Sequence, residues 1–144
     1  KTLMEQDQEI HQKMKAICVI KGLSLISLAT IVAETLGFAQ FTNQRQLTKY
    51  AGYDVVENQS GKHVGRTRIS KKGNSRIRRI LHMPAFTAIT HGEKPFVALW
   101  NRVYERTKIK MKAYVAVQRK MLVLIYTLWT KGGTYDPEHL VMQS

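Results

Sequence analysis

A single, mostly helical domain interrupted by one long basic loop is the fold this sequence predicts. Two observations predict it. Apolar residues recur at three- and four-residue spacing over most of the chain. That rhythm vanishes between Tyr53 and about Lys72, where turn formers and cations gather instead. A third observation sets the scale: 144 residues with 44% hydrophobic content suffice for one domain with its own core.

Residues 1 to about 15 are polar, with Leu3, Ile10 and Met14 weakly spaced, which predicts an exposed or partner-packed helix. The chain opens without an initiator Met, so we expect residues 1–16 to be a connector helix from a domain that precedes them. Residues 17–131 then form the domain, and 132–144 a tail without periodicity, frayed or used by a partner. Residues 23–36, "LSLISLATIVAETL", are apolar almost all round and are expected to be the central helix, stopped by Gly37. Thr42 or Asn43 caps a short helix, "QRQLTKYA", that Gly52 ends.

In the loop, Asp54, Asn58, Ser60, Gly61 and Gly65 favour turns, while Val55 and Val56 suit an extended strand. There is room for one short hairpin. After Gly73, Asn74 or Ser75 caps a helix whose core stripe is Ile77, Ile80, Leu81, Pro84, Ala85, Ala88 and Ile89. Arg76, Arg79, Met83 and Phe86 lie off that stripe, and Pro84 is expected to kink it. His91 and Gly92 end it, and Pro95 opens the next helix, "PFVALWNRVYERT", with Phe96, Leu99, Trp100, Val103 and Tyr104 inward. A last helix runs from about Lys110 to Thr130, with Tyr114, Val117, Met121, Leu124, Ile125 and Leu128 inward; Gly132 and Gly133 stop it.

Charge narrows the function. With 23 Lys and Arg against 10 Asp and Glu the formal net charge is +13, which points to a polyanionic partner, nucleic acid first. The charge is also clustered: between Asn58 and Gly92 there is no acid. Lys62, Arg66, Arg68, Lys71, Lys72, Arg76, Arg78 and Arg79 therefore go unneutralised locally and are candidate phosphate contacts. The helix start at Asn74 to Arg76 is expected to add backbone N–H groups. A solvated charged surface is the plainer alternative.

Residues 20–34, "IKGLSLISLATIVAE", suggest a helix-hairpin-helix, in which a glycine turn presents backbone N–H groups to a sugar-phosphate chain. Gly22 fits that turn, but Ser24 stands where a second glycine is usual, and a plain helix–turn–helix joint fits as well. Ser60 before Gly61 reads first as a turn residue. The alternative is an activated nucleophile, with Arg66 and Arg68 matching the oxygens of a phosphodiester.

The five histidines have no metal spacing, and Asp54 and Glu57 are too few for a two-metal nuclease site, so no metal or cofactor is expected in this chain. His63 reads as an ordinary loop histidine, with a phosphate contact or proton carrier as the alternative. The tyrosines read as packing residues. The lone Cys18 lies in the apolar run "AICVI" and fits a reducing compartment. "MLVLIYTLWT" is too short to span a bilayer, so no membrane is expected.

Taken in order, "KGLSLISLATIVAE", "FTNQRQLTKYAGYDVVENQSGKHVGRTRISKKGNSRIRRILHMPA" and "KMKAYVAVQRKMLVLIYTL" resemble the C-terminal transposase domain of the IS one-ten insertion-sequence family. The resemblance spans roughly residues 17 to 130. It implies a bridge-RNA-guided recombinase whose RuvC-like N-terminal half, absent from this chain, holds an acidic Mg²⁺ site. It further implies that Ser60 is the nucleophile that links covalently to DNA, beside the Mg²⁺ site of another protomer. The partners so implied are DNA, a guide RNA and a homo-oligomer, in the bacterial cytoplasm at the nucleoid. A non-catalytic nucleic-acid-binding module, or an oligomerisation module built on Trp100, Trp129 and the last helix, is the competing class.

Overall fold

The helical period becomes six helices in a computed structural model that describes residues 3–53 and 74–138. Between these it describes the backbone of residues 55–56, 59–60, 63–64 and 68–69. The helices are α1 (Leu3–Ile17), α2 (Leu25–Glu34), α3 (Gln44–Tyr50), α4 (Ser75–Thr90), α5 (Lys94–Thr107) and α6 (Lys110–Lys131). The domain is thus all-α in its core, as the spacing predicts. No helix among the described residues is long and apolar enough to cross a membrane.

The central helix is not the expected one. α2 buries only Leu28 and Ile31 and leaves Ile26 80% exposed. α6 takes the centre, packing against α1, α3, α4 and α5 and burying residues on several of its sides, Val117, Met121, Leu122 and Ile125 among them. An apolar circumference permits burial but does not compel it, because folded proteins still expose much apolar surface. Length decided the matter: α6 has 22 residues and α2 has 10, so only α6 reaches four neighbours. Burying each leucine-sized side chain along it contributes about 2 kcal/mol.

Helix ends follow their capping chemistry. Ser24 accepts the Ser27 N–H at 3.1 Å, so this serine, in extended backbone, starts α2 without need of glycine. Asn43 accepts the Gln46 N–H at 2.9 Å, and the Gln46 side chain accepts the Thr42 N–H at 2.9 Å in return. At the end of α2, the Gly37 N–H reaches the Val32 carbonyl at 2.8 Å and the Leu36 N–H reaches Ala33 at 3.2 Å. Gly37 was the expected stop, yet the first left-handed residue is Leu36 at φ 53°, an arrangement that costs a leucine about 1 kcal/mol.

α4 runs from Ser75 to Thr90 without a break at Pro84. Of its expected core stripe, Ile77, Leu81, Pro84, Ala85 and Ala88 are buried and Ile80 and Ile89 half-buried, while Arg76, Arg79, Met83 and Phe86 face outward. Between α4 and α5, Glu93 is only 6% exposed, and its carboxylate accepts the Lys21 backbone N–H at 3.0 Å. That bond ties the α1–α2 turn to the start of α5. The described part of the tail is held to the body. Tyr135 packs on the core, where burial and then the nearby Glu93 carboxylate push its hydroxyl pKa up, and Glu138 pairs with Lys94.

Candidate functional site

The basic segment leaves the helical body at Tyr53 and rejoins it at Asn74, and both points are fastened. Tyr53 is 1% exposed and donates its hydroxyl to Gln118 Oε1 on α6 at 2.9 Å. Burial raises that hydroxyl's pKa, with the charge of Arg78 opposing, so Tyr53 stays a neutral donor. Its own N–H is donated to the Thr48 carbonyl at 2.9 Å.

Asn74 is the second fastening, through its backbone N–H and both ends of its side-chain amide. Its N–H reaches the Tyr50 carbonyl at 2.7 Å, bringing the start and end of the segment together. Its Oδ1 caps α4 by accepting the N–H groups of Arg76 at 2.9 Å and Ile77 at 3.2 Å. Its Nδ2 donates to Glu34 at 3.0 Å and to the Tyr50 hydroxyl at 3.2 Å. The α4 amides of Arg76 and Ile77, part of a start that spacing offered to an anion, are therefore already occupied.

Between the fastenings the backbone doubles back. β1 (Val55–Val56) pairs antiparallel with β4 (Arg68–Ile69), and β2 (Gln59–Ser60) pairs antiparallel with β3 (His63–Val64). The short hairpin that the sequence allowed is present, as two nested pairs. Ser60 sits opposite His63, the innermost partners in the register. Lys62, Arg66, Lys71 and Lys72 lie outside the described residues, and Ser60 and Arg68 are described by backbone alone.

The cations of α4 divide. Arg76 is exposed and bonds Glu34 at 2.9 Å. Arg78 is half-buried and donates to the Ala51 carbonyl at 2.8 Å, where it steadies the end of α3. Arg79 is exposed. Gly22 lies on another face of α4: a Cβ there would stand 2.7 Å from the Pro84 carbonyl oxygen. Its glycine is thus required by packing as well as by its φ of 94°. Sequence reasoning missed Glu34 and Gln118, because a polar residue on an apolar helix announces no partner until the chain folds. Among the described residues no group of three His, Cys, Asp or Glu comes together in a way that could hold a metal.

Asn74→Ala removes the α4 cap and a ligand of the Glu34 carboxylate together. We expect a loss of about 1–2 kcal/mol in denaturant unfolding, with Asn74→Asp recovering the cap but not the bond to Glu34. Asn74 and then Arg76 hold the Glu34 pKa below the ordinary carboxylate value. A depressed folded pKa means the contribution is present above the unfolded value and fades as pH falls through the folded one. Acid titration of the melting temperature should therefore be less steep in Glu34→Gln than in the parent.

Comparison with known proteins places this arrangement. A sequence profile described as the transposase IS116/IS110/IS902 family matches residues 14–101, which span α1's last turn, the whole basic segment and half of α5. The pilin gene-inverting protein of Moraxella bovis is 24% identical over 130 residues, covering 89% of this chain and 40% of that protein. Its Moraxella lacunata counterpart gives the same figures. The protein y4qE of Sinorhizobium fredii is 35% identical over 72 residues, 50% of this chain and 18% of its own length. The chain thus spans about 40% of the pilin gene-inverting proteins it matches.

Proposed function

This chain belongs to the IS116/IS110/IS902 transposase family, and from that premise we propose that it grips DNA through its basic segment and supplies Ser60 for strand cleavage and exchange. The observation that carries the reading is the fastened hairpin. Ser60 occupies its innermost register in a stretch with no acid from Asn58 to Gly92. Fastening at Tyr53 and Asn74 ties a charged segment to the core, which favours a repeatable position for Ser60.

In the reaction, the Ser60 hydroxyl oxygen bonds to the phosphorus of a DNA phosphodiester. Its proton passes to a base, and the displaced sugar oxygen leaves with the electron pair of the broken P–O bond and takes a proton from solvent to become a hydroxyl. The phosphoserine ester keeps the bond energy, so a second strand's hydroxyl can reverse the step and release the serine. Lys62, Arg66, Arg68, Lys71, Lys72 and Arg79 hold the surrounding phosphates and offset the charge on the attacked group. Guide RNA, further copies of the chain and an N-terminal Mg²⁺-binding domain belong to the same proposal. The names of the two Moraxella relatives, which describe inversion of a pilin gene, agree with a DNA-rearranging role.

Two measurements test the reading. With about five phosphates met, duplex affinity should fall with a log–log salt slope of roughly −4 to −5; a slope near zero eliminates the grip. Peptide mass spectrometry of the trapped protein–DNA adduct, made with the full-length protein and its guide RNA, should place the ester on Ser60. An ester on any other residue removes the nucleophile assignment.

A further inference from the structure

The α4 helix carries an outward face of which the phosphate grip uses only Arg79. Met83 is 60% exposed and Phe86 43% exposed, on the same side of the helix as Arg79. Phe86 is backed by other rings. Its centroid lies 5.8 Å from that of Tyr114 on α6. Tyr114 meets Trp100 on α5 edge-on at 5.6 Å, and Trp100 stacks on Tyr104 at 5.0 Å. Phe86 is the most exposed of the four, the other three being half-buried. The far end of the row is cationic, with Lys108 Nζ 5.7 Å from the Tyr104 ring centre and also 3.0 Å from Glu105.

We propose that Phe86 is a stacking platform for an unpaired base of single-stranded DNA whose phosphates are held by Arg79. The inference rests on the nucleic-acid reading above and adds a site to it. Three features select this occupant. A ring held from behind by Tyr114 loses little freedom when a base lies on it. Arg79 is two helical turns from Phe86, about 10 Å along the axis, which is within reach of the backbone of one short strand. α4 carries no acidic residue of its own, so a polyanion meets no carboxylate from the helix itself. A duplex keeps its base faces stacked on one another, and only an opened strand presents one to a protein ring. Strand exchange requires opened DNA. The helix that bears Phe86 starts where the Ser60 segment ends, with Phe86 about 18 Å beyond Asn74.

The test compares binding of the 144-residue chain to a short oligothymidylate, an abasic strand of equal length, an oligouridylate and a duplex, by fluorescence anisotropy. The parent should prefer the thymidylate over the abasic strand. Phe86→Ala should lower thymidylate affinity roughly 5- to 100-fold, leave the abasic and duplex affinities unchanged, and lose the preference. Phe86→Trp should keep it. Phe86→Leu preserves bulk but has no ring, so it should lose the preference too, and it serves should the alanine variant fail to fold. Equal binding of thymidylate and abasic strands by the parent, with duplex binding intact, overturns this inference and spares the grip. Failure to bind any of the four overturns both. Tighter binding of oligouridylate reassigns the platform to RNA, and dissociation of an oligomer in Phe86→Leu reassigns it to a protein contact; either outcome refutes the proposal.

Discussion

On the proposed reading, recombination by the full-length, guide-loaded protein is expected to fall to background in Ser60→Ala. The side chain lost is only a hydroxyl, and the backbone pairing of Gln59–Ser60 with His63–Val64 does not depend on it. Folding and DNA affinity should therefore stay within about 0.5 kcal/mol of the parent. If the hydroxyl is the nucleophile, its loss lowers turnover on the order of 10⁴-fold or more. The covalent protein–DNA band on a denaturing gel should vanish in parallel. Retained recombination would reduce Ser60 to a turn residue and leave the segment as a binding module. Because binding is measured on the same variant, a lost grip and a lost nucleophile give different patterns.

The second large effect is on folding. Gly22→Ala should destabilise the chain by about 3 kcal/mol or more, through two additive costs. The residue's φ of 94° is unfavourable for any side chain. The new Cβ would also stand 2.7 Å from the Pro84 carbonyl oxygen and 3.0 Å from the Ala88 nitrogen, both of them backbone atoms of α4. Flexible side chains can move aside, but helix backbone cannot do so without shifting Ile77, Leu81 and Ala85 out of the core. The Lys21 bond to the buried Glu93 holds the same turn from the other side. Chemical denaturation reads the loss directly. A midpoint unchanged from the parent would mean that the α1–α2 turn does not sit against α4 as described. Gly92→Ala is the matched control: its φ is 72°, but nothing lies within 4 Å of its Cβ position. It should show the backbone cost alone, about 1 kcal/mol.

Much of the fold was legible in the sequence. The periods of α4, α5 and α6, the Asn43 and Asn74 caps and the Val55–Val56 strand were readable because each depends on residues a few positions apart. The rank of the helices was not. Nothing within "LSLISLATIVAETL" says that Ile26 will face solvent while Leu28 and Ile31 go inside; the neighbours that the other helices supply decide that. The same holds for the cations of α4. Arg76, Arg78 and Arg79 look alike in sequence, yet one is tied to Glu34, one to the Ala51 carbonyl, and one faces solvent.

The sequence by itself determined that this is one helical domain with a basic segment that carries no acid from Asn58 onward, and its match over residues 14–101 placed it in a transposase family. Those properties are local or compositional, and a linear string carries them whole. Only the tertiary structure decided that Tyr53 and Asn74 fasten that segment, that Gly22 is needed against α4, and that Phe86 is left outward with rings behind it. Each of these depends on pairs far apart in the chain, such as Tyr53 with Gln118 and Asn74 with Glu34. Such pairs meet only when burial of the apolar faces brings the helices together, and no spacing rule along the chain encodes them.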